Sequence, residues 1–233
     1  SSIGILARKK YSSLPIECSK IDKNNFEFKL IAFMDSFSLP NTWDVDQIIE
    51  DFDRQGFSII DDAYPQNYVQ DLVKECSSNL NQFREAAIQN GIVSNIRSDH
   101  ILWINEDLTI AQHHIQSLEA LSQQFNRAFY LGIKEVEAHF ACYNAGEFYA
   151  LHRDNPQGKN GRVISSVYYL HEEWQDHWGG ELRLQDKNDA WHIIPPKPNR
   201  IALFQSDLLH EVLLSKQQRL SITAWLRQSE GVF

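Results

Sequence analysis

Three residues in the second half of the chain carry side chains that can hold a metal ion. His152 and Asp154 are separated by a single residue, and His210 follows much later. Two neutral imidazoles and one carboxylate form the facial triad of non-heme Fe(II) sites, which leaves coordination positions open for a co-substrate and dioxygen. Side chains two positions apart on a strand leave from the same face, so His152 and Asp154 are expected to point the same way. The spacing indicates an iron site that takes its third ligand, His210, from another strand.

Other histidines and other metals are alternatives to this interpretation. The chain has nine histidines, so a His-x-Asp triplet also arises by chance, and most such histidines are surface or hydrogen-bonded core residues. Three further histidines could take the place of His210, namely His171, His177 and His192. A zinc site would usually use Cys or a third His, and none of the three cysteines is spaced to supply a ligand.

Arg219 begins a run in which polar and apolar residues alternate as far as Leu226. This period predicts a half-buried strand whose apolar face meets a helix or a second sheet, so the face with Arg219 would point into a barrel. A buried guanidinium needs a carboxylate partner because burying it alone is costly. A bidentate pair would suit a dicarboxylic co-substrate such as 2-oxoglutarate, and a salt bridge to an Asp or Glu of the chain is the alternative.

Composition places the chain among globular proteins and narrows its partners. The 233 residues are 42% hydrophobic and 23% charged, with a formal net charge of −9. Such a chain lacks the clustered Lys and Arg that bind a phosphate backbone, so no nucleic-acid partner is expected. No apolar run approaches the roughly 20 residues of a membrane helix, and no secretory signal is visible. The three cysteines form no CxxC pair or disulfide framework, which favours a reducing, cytoplasmic location.

Periodicity in the first half of the chain predicts mainly helices. A helix after Asn41-Thr42 should end at Gly56, a second should run from Pro65 past Ala87 to Asn90-Gly91, and a third should cover Leu108 to Tyr130. Residues 26–33 and Phe57–Ile60 are expected to be strands, and Ile92–Asp99 a loop.

After residue 134 the sequence changes to short β-rich runs broken by Gly, Pro, Asn and Asp. Eight strands are predicted, at residues 136–143, 148–153, 162–170, 180–184, 190–194, 200–204, 211–214 and 220–226. Their spacing favours an α+β fold with a sandwich or a jelly-roll barrel (double-stranded β-helix) rather than βαβ units, and with the preceding helices packed on one sheet. Residues 1–40 are taken as an N-terminal extension, and residues 41–233 as a single domain with its core at about 136–228.

Several motifs of this half resemble one enzyme family. They are ACYNAGEFYALHRDNPQGKNGR, VYYL, WGGELRL, the His210-(x8)-Arg219 spacing that leads into ITAW, and IRSDHILWI upstream. Together they resemble the catalytic core of the Fe(II)- and 2-oxoglutarate-dependent prolyl 4-hydroxylases, closest to the hypoxia-inducible-factor type and its bacterial relatives. The resemblance covers about Arg97 to Leu226.

The resemblance implies a role for each matching residue. His152, Asp154 and His210 would bind Fe(II). Arg219 would pair with the distal carboxylate of 2-oxoglutarate. Four aromatic residues would complete the pocket: Tyr169 on the same carboxylate, Tyr143 near the metal-bound end, and Tyr149 and Trp225 along the wall. Alternation alone does not choose between Tyr168 and Tyr169, so that choice depends on the resemblance.

The family's reaction implies O2 as co-substrate, succinate and CO2 as products, and ascorbate as an auxiliary reductant. The target would be a prolyl residue of a protein or peptide, converted to 4-hydroxyproline. Ile92–Asp99 could close over the site as a lid, with Asp99 and Arg162 forming a pair when it shuts. The alternatives are an oxygenase for a small molecule or free amino acid and a non-catalytic cupin-like binding module.

Overall fold

The computed structural model describes residues 39–86, 96–156 and 161–228. Three α-helices within them come before most of the β-structure: α1 (Val45–Gln55), α2 (Gln66–Ser78) and α3 (Thr109–Phe129). Short 3₁₀ helices cover Leu80–Gln82 and Asp176–Trp178. The strand predicted over residues 26–33 lies outside the described residues. The predicted boundary near residue 40 lies at their edge, so it stays a prediction.

The strands of the described residues form two antiparallel sheets. The large sheet has the order β1-β9-β6-β11-β4-β3-β2, and the small sheet has the order β5-β10-β7-β8. The strands are β1 (Phe57–Ile60), β2 (Arg84–Glu85), β3 (His100–Trp103), β4 (Glu135–Tyr143), β5 (Tyr149–His152), β6 (Arg162–Tyr169), β7 (Leu182–Gln185), β8 (Trp191–Ile194), β9 (Ile201–Gln205), β10 (His210–Val212) and β11 (Arg219–Arg227).

The two faces of the large sheet bury different sets of side chains. One face joins the helices in a cluster that includes Phe52, Leu72 and Phe125 from the helices and Phe140 and Ile222 from the sheet. The opposite face packs on the small sheet through the cluster Val167, Tyr169, Leu182, Leu184, Ile194, Ala202 and Phe204. The helices therefore cover one sheet, as the sequence predicts, and the space between the two sheets contains the inward-facing polar residues.

Helix α1 forms where the sequence predicts it. The Asp44 side chain caps it by accepting from the Gln47 N–H at 3.1 Å, and Gly56 ends it in the left-handed region at φ 84°. The cap is thus Asp44 rather than Asn41-Thr42. The Thr42 hydroxyl instead donates to the Ala63 carbonyl oxygen at 2.6 Å.

Helix α2 is shorter than the sequence predicts. It ends at Ser78 rather than beyond Ala87 because Asn79 follows in a non-helical conformation, with its side-chain amide bonded back to the Glu75 carbonyl oxygen at 2.8 Å. The later apolar residue Phe83 continued the helical period in the sequence. In the structure it follows a 3₁₀ turn in extended conformation and stacks on Phe140 of the large sheet at 6.3 Å.

Strand β3 is the main element that the strand prediction did not include. It pairs with β4 on one side and with the two-residue β2 on the other. Its residues are half-buried or exposed, so the sequence has no clear apolar alternation there. Asp99, at the end of the predicted loop, directly precedes it.

Candidate metal and co-substrate site

Two neighbouring strands of the small sheet bring the predicted histidines together. His152 ends β5, His210 begins β10, and the two residues are register partners. The Nε2 atoms of His152 and His210 lie 3.5 Å and 3.6 Å from the Asp154 carboxylate oxygens. One ligand atom from each of the three residues lies within 4.8 Å of the others, a group that a metal ion could join.

Hydrogen bonds fix both imidazoles with Nε2 turned toward this centre. The Nδ1 of His152 bonds the Ala150 carbonyl oxygen at 2.8 Å, and the Nδ1 of His210 bonds that of Leu208 at 2.9 Å. A carbonyl oxygen only accepts, so each Nδ1 carries a proton, and the neutral form of each ring presents its Nε2 lone pair. Burial lowers the pKa of His210 to about 4 despite the adjacent carboxylate, which keeps that ring neutral at neutral pH.

Aromatic rings restrict the same two imidazoles. Tyr149 stacks on His152 with 3.7 Å between ring centroids and 16° between planes. Phe204, on β9 of the large sheet, packs its ring against His210 at 4.7 Å. Packing and hydrogen bonding together hold both rings in one orientation, as metal-binding histidines require.

Asp154 reaches the centre from outside the strand. β5 ends at His152, so the same-face argument accounts for His152 but not for Asp154. The Ser165 hydroxyl donates to Asp154 Oδ2 at 2.6 Å. Burial alone would raise the pKa of this carboxyl, but the two imidazoles and Ser165 oppose it and hold the pKa well below its usual range. The group is a carboxylate at neutral pH.

The alternative histidines do not join this group in the described part of the chain. His171 packs on Trp174, with 4.4 Å between ring centroids, and His177 lies beside Trp178. His192 bonds Asp186 at 2.8 Å. His210 is therefore the histidine that the fold brings to His152 and Asp154.

Arg219 lies deep between the sheets and is 1% exposed. Its guanidinium carbon lies 4.9 Å from the ring centroids of both Tyr143 and Tyr169. Within the described residues no carboxylate lies within 4.0 Å of it, and its Nε has no hydrogen-bond partner. The predicted alternative, a salt bridge to the chain itself, is absent from this part of the structure.

A hydroxyl group beside Arg219 also lacks a hydrogen-bond partner. The buried Tyr169 hydroxyl has no partner among the described residues, whereas the Tyr168 hydroxyl, on the helix side of the sheet, bonds Asn199 at 3.0 Å. Gly180, at φ 72°, makes room for the arginine, because a Cβ there would lie 3.1 Å from Arg219 Cδ. The guanidinium donates one weak bond to the Ser221 hydroxyl, at 3.4 Å, and has no carboxylate partner in the described residues. Beside the unpartnered Tyr169 hydroxyl, it is complementary to a carboxylate from outside the chain.

The substrate residues predicted at the barrel mouth have partners other than each other. Asp99 is 1% exposed and accepts two bonds from Arg97, at 2.5 Å and 2.9 Å. Arg162 bonds Glu137 at 3.2 Å and lies 3.5 Å from the Trp225 ring centroid. The predicted Asp99–Arg162 pair is therefore not formed in this structure.

Three residues of the site were not singled out from the sequence. Arg97 lies over the Tyr149 ring at 4.8 Å, and Ser165 bonds Asp154. His139 is buried between Trp103 and Trp225, with ring-centroid distances of 5.1 Å and 5.4 Å. Alternation along β4 and β6 could have identified the two strand residues, since His139 shares a face with Tyr143 and Ser165 shares one with Tyr169.

Comparison with known proteins agrees with this geometry. The model of the 2OG-Fe(II) oxygenase superfamily matches residues 138–227. The hypoxia-inducible factor prolyl hydroxylase of Caenorhabditis elegans is 28% identical over an alignment 200 residues long, which covers 77% of this chain and 28% of that protein. Prolyl hydroxylase EGLN3 of Mus musculus is 33% identical over an alignment 145 residues long, which covers 58% of this chain and 60% of that protein. The crystal structure of a Pseudomonas putida prolyl-4-hydroxylase matches this fold with a TM-score of 0.73 and 30% sequence identity. The match covers 79% of this chain and 98% of that one.

The chain belongs to the 2OG-Fe(II) oxygenase superfamily. The family confirms the predicted resemblance, the double-stranded β-helix fold, and Fe(II), 2-oxoglutarate and O2 as the oxygenase's cofactors and co-substrates. The oxygenase chain spans about a quarter of the nematode relative and three fifths of the mouse one. Among the described residues, none of the helices combines the length and apolar character that a membrane span needs.

The side chains of the candidate site are chemically suited to Fe(II) and 2-oxoglutarate. Two neutral Nε2 atoms and one carboxylate are the ligands that a facial Fe(II) site uses. The Arg219 guanidinium, which has no carboxylate partner in the described residues, and the unpartnered Tyr169 hydroxyl suit the distal carboxylate of a dicarboxylic 2-oxo acid. The fold thus brings a candidate metal-ligand group, from β5, β10 and the chain after β5, and a candidate anion-binding residue of the large sheet to the space between the two sheets.

Proposed function

We propose that this oxygenase hydroxylates a prolyl residue of a protein or peptide to 4-hydroxyproline. Each turnover would consume one 2-oxoglutarate and one dioxygen. One oxygen atom enters the new C4–OH group, the other enters succinate, and CO2 leaves. The observation that carries the proposal is the buried Arg219 without a carboxylate partner in the described chain, on the same inter-sheet space as the His152, Asp154 and His210 donors.

In this proposal His152, Asp154 and His210 are the metal ligands. The Fe(II) that they hold supplies the oxidative chemistry, which couples decarboxylation of the 2-oxo acid to hydroxylation of an unactivated C–H bond. The chain's own part is geometric: the Nδ1 bonds hold both imidazoles with Nε2 toward the centre, and the apolar inter-sheet cluster would keep water away from it.

Arg219 and Tyr169 would bind the distal carboxylate of 2-oxoglutarate. A guanidinium presents two parallel N–H donors to a carboxylate, and the Tyr169 hydroxyl adds a third donor. The Tyr143 ring, packed against the guanidinium, and Trp225 would form the walls of this end of the cavity. The co-substrate would then lie in one orientation, with its 2-oxo acid end toward the metal ligands.

Arg162, Asp99 and Tyr149 would serve the substrate end. Arg162, held over Trp225, would bond a carbonyl oxygen of the peptide. Asp99 would act through Arg97, which it holds over the Tyr149 ring.

The names of the relatives support a prolyl target, since the nematode, mouse and Pseudomonas proteins are all prolyl hydroxylases. Cys76 and Cys142 are free thiols, which supports the proposed cytoplasmic location.

Mass spectrometry of a co-expressed host proteome tests the proposal. Cells that make the wild-type chain should show prolyl residues heavier by one oxygen atom, and cells that make Asp154→Ala should not. Purified wild-type enzyme should release succinate from 2-oxoglutarate when the identified peptide is added. Unchanged prolyl residues, together with hydroxylation of a metabolite, would favour the small-molecule alternative and overturn the prolyl assignment.

A further inference from the structure

The Asp154 carboxylate depends on contacts outside its own strand. His152 and His210 belong to paired strands, whereas Asp154 follows the end of β5 in a bend. A ladder of backbone bonds therefore fixes the two histidines but not the carboxylate. Ligating carboxylates are commonly oriented by hydrogen-bond donors behind them, and loss of such a donor weakens metal binding. Among the described residues, a buried serine of the large sheet is such a donor.

Ser165 is that donor. It is 0% exposed on β6, on the face of the large sheet that Val167 and Tyr169 also occupy, and its hydroxyl donates to Asp154 Oδ2 at 2.6 Å. This distance is typical of a strong bond from a hydroxyl to a carboxylate. The same Oδ2 lies 3.6 Å from the Nε2 of His210, so the bond acts directly on the face of the carboxylate that meets the metal centre.

Ser206 orients Ser165 in turn. The two hydroxyl oxygens are 2.9 Å apart, and Ser206 is 1% exposed. The single proton of Ser165 is directed to the carboxylate, so Ser206 must donate to Ser165. The Ser206 N–H bonds the Val163 carbonyl oxygen at 3.0 Å, and its carbonyl oxygen accepts from the N–H of Asn155 at 2.9 Å. Ser206 therefore connects β6 to the chain immediately after Asp154.

We propose that Ser165, oriented by Ser206, is a positioning residue that sets the orientation of the Asp154 carboxylate for metal binding. The inference rests on the proposed function only in taking His152, Asp154 and His210 as the metal ligands. It predicts that removing either hydroxyl weakens binding of the metal alone, before any 2-oxoglutarate or prolyl substrate is present. Substrate identity does not enter the test.

The neighbouring Ser166 provides a matched control. It is also 0% exposed, but it lies on the other face of β6 and its hydroxyl has no partner among the described residues. Binding of Mn(II) to the purified full chain can be measured from the electron paramagnetic resonance signal of free Mn(II). Ser165→Ala should raise the Mn(II) dissociation constant about 10- to 100-fold, whereas Ser166→Ala should leave it within about twofold of wild type.

Two further variants separate positioning from a general loss of packing. Ser165→Thr keeps the hydroxyl and should restore the Mn(II) affinity. Ser206→Ala should weaken Mn(II) binding about 2- to 13-fold, the range for one neutral hydrogen bond. The double variant should bind no more weakly than Ser165→Ala, because Ser206 acts through Ser165 and the two effects should not add. Co(II) bound to Ser165→Ala should also show a shifted visible absorption spectrum, which a uniform loss of stability would not produce.

Each outcome decides between the proposals. If wild type binds Mn(II) and Ser165→Ala binds it as tightly as Ser166→Ala, the positioning role is wrong while the metal site stands. If wild type binds no Mn(II), and His210→Ala and Asp154→Ala behave identically to it, the proposed function fails instead. If Ser165→Ala does not fold, Ser206→Ala gives the answer, since it leaves Ser165 in place but without its donor. An unchanged Mn(II) affinity in Ser206→Ala would then overturn the inference.

Discussion

The Arg219→Met substitution removes a buried guanidinium while keeping most of the length of the side chain. In wild type the guanidinium is flanked by the rings of Tyr143 and Tyr169 and has no carboxylate partner in the described chain. If 2-oxoglutarate supplies that partner, the substitution should weaken its binding without changing the candidate metal ligands, which belong to β5, β10 and the chain that follows β5.

The size of the loss follows from the bonds that a guanidinium can make here. Each hydrogen bond to a charged group contributes about 1.5–3 kcal/mol, so a bidentate pair contributes about 3–6 kcal/mol. Each 1.4 kcal/mol is about a factor of ten in affinity. Arg219→Met should therefore bind 2-oxoglutarate about 10²- to 10⁴-fold more weakly. Arg219→Lys, which keeps the charge but loses the planar fork, should fall between wild type and Arg219→Met.

Calorimetric titration of the Mn(II)-loaded protein measures this effect directly. A second titration with 2-oxopentanoate, which lacks the distal carboxylate, shows whether the lost energy belongs to that group. Wild type should prefer 2-oxoglutarate by about the same 10²- to 10⁴-fold, and Arg219→Met should show little preference. Arg183→Met is the control, because Arg183 stacks on Trp191 and pairs with Glu211 at 2.5 Å, on the face of the small sheet opposite to His210.

The reasoning is refuted if Arg219→Met retains the preference for the dicarboxylic acid. That result would mean that another cation receives the distal carboxylate, or that Arg219 pairs with a part of the chain outside the described residues. A loss of affinity for both 2-oxo acids to the same extent would also contradict it. Such a result would place the effect on the metal-bound end or on folding rather than on the distal carboxylate.

Three other substitutions give independent expectations. Tyr169→Phe removes only the unpartnered hydroxyl, so 2-oxoglutarate should bind about 10-fold more weakly while the calorimetric affinity for Mn(II) alone stays unchanged. Gly180→Ala places a Cβ 3.1 Å from Arg219 Cδ at a φ of 72°. It should lower the unfolding free energy by about 1–2 kcal/mol, which denaturant titration can measure. Calorimetry should show that it weakens the binding of 2-oxoglutarate more than the binding of Mn(II). Burial lowers the pKa of His114 to about 3, so the unfolded chain takes up more protons than the folded one as pH falls below about 6.5. Stability should therefore fall as the pH drops from about 6.5 toward 3, and a Tm-versus-pH series should be flatter for His114→Gln than for wild type.

The sequence predicts the direction in which the Arg219 side chain points, because polar and apolar residues alternate along its strand. Once Leu220 and Ile222 face the helices, the strand geometry sends Arg219 to the other side of the sheet. The same rule does not predict the position of the Asp154 side chain, because β5 ends before this residue. Its position depends on a hydroxyl from β6, which is a tertiary contact with no signal in the local spacing.

The orientation of the imidazoles could not be predicted from spacing either. Each of His152 and His210 bonds the carbonyl oxygen two residues before it, and that contact depends on how the chain enters the strand. The length of α2 was predicted wrongly from the same kind of local pattern. Phe83 fits the helical period, but it packs on Phe140 from an extended conformation that follows the 3₁₀ turn at Leu80–Gln82. Tertiary packing, rather than local helix propensity, therefore determines where α2 ends.

The distribution of the site over two sheets explains why its residues are far apart in the sequence. The candidate metal ligands come from the small sheet and the chain that follows β5, whereas Arg219 and Tyr169 come from the large sheet. Ser165 and Phe204 cross the gap, one by a hydrogen bond to Asp154 and one by ring packing on His210. A ligand with a metal-binding end and a distal carboxylate would bind to both sheets at once, so its affinity depends on how firmly the inter-sheet contacts hold them together. Neither sheet alone contains a site of this kind, and the chemistry is therefore a property of the closed fold rather than of any one motif.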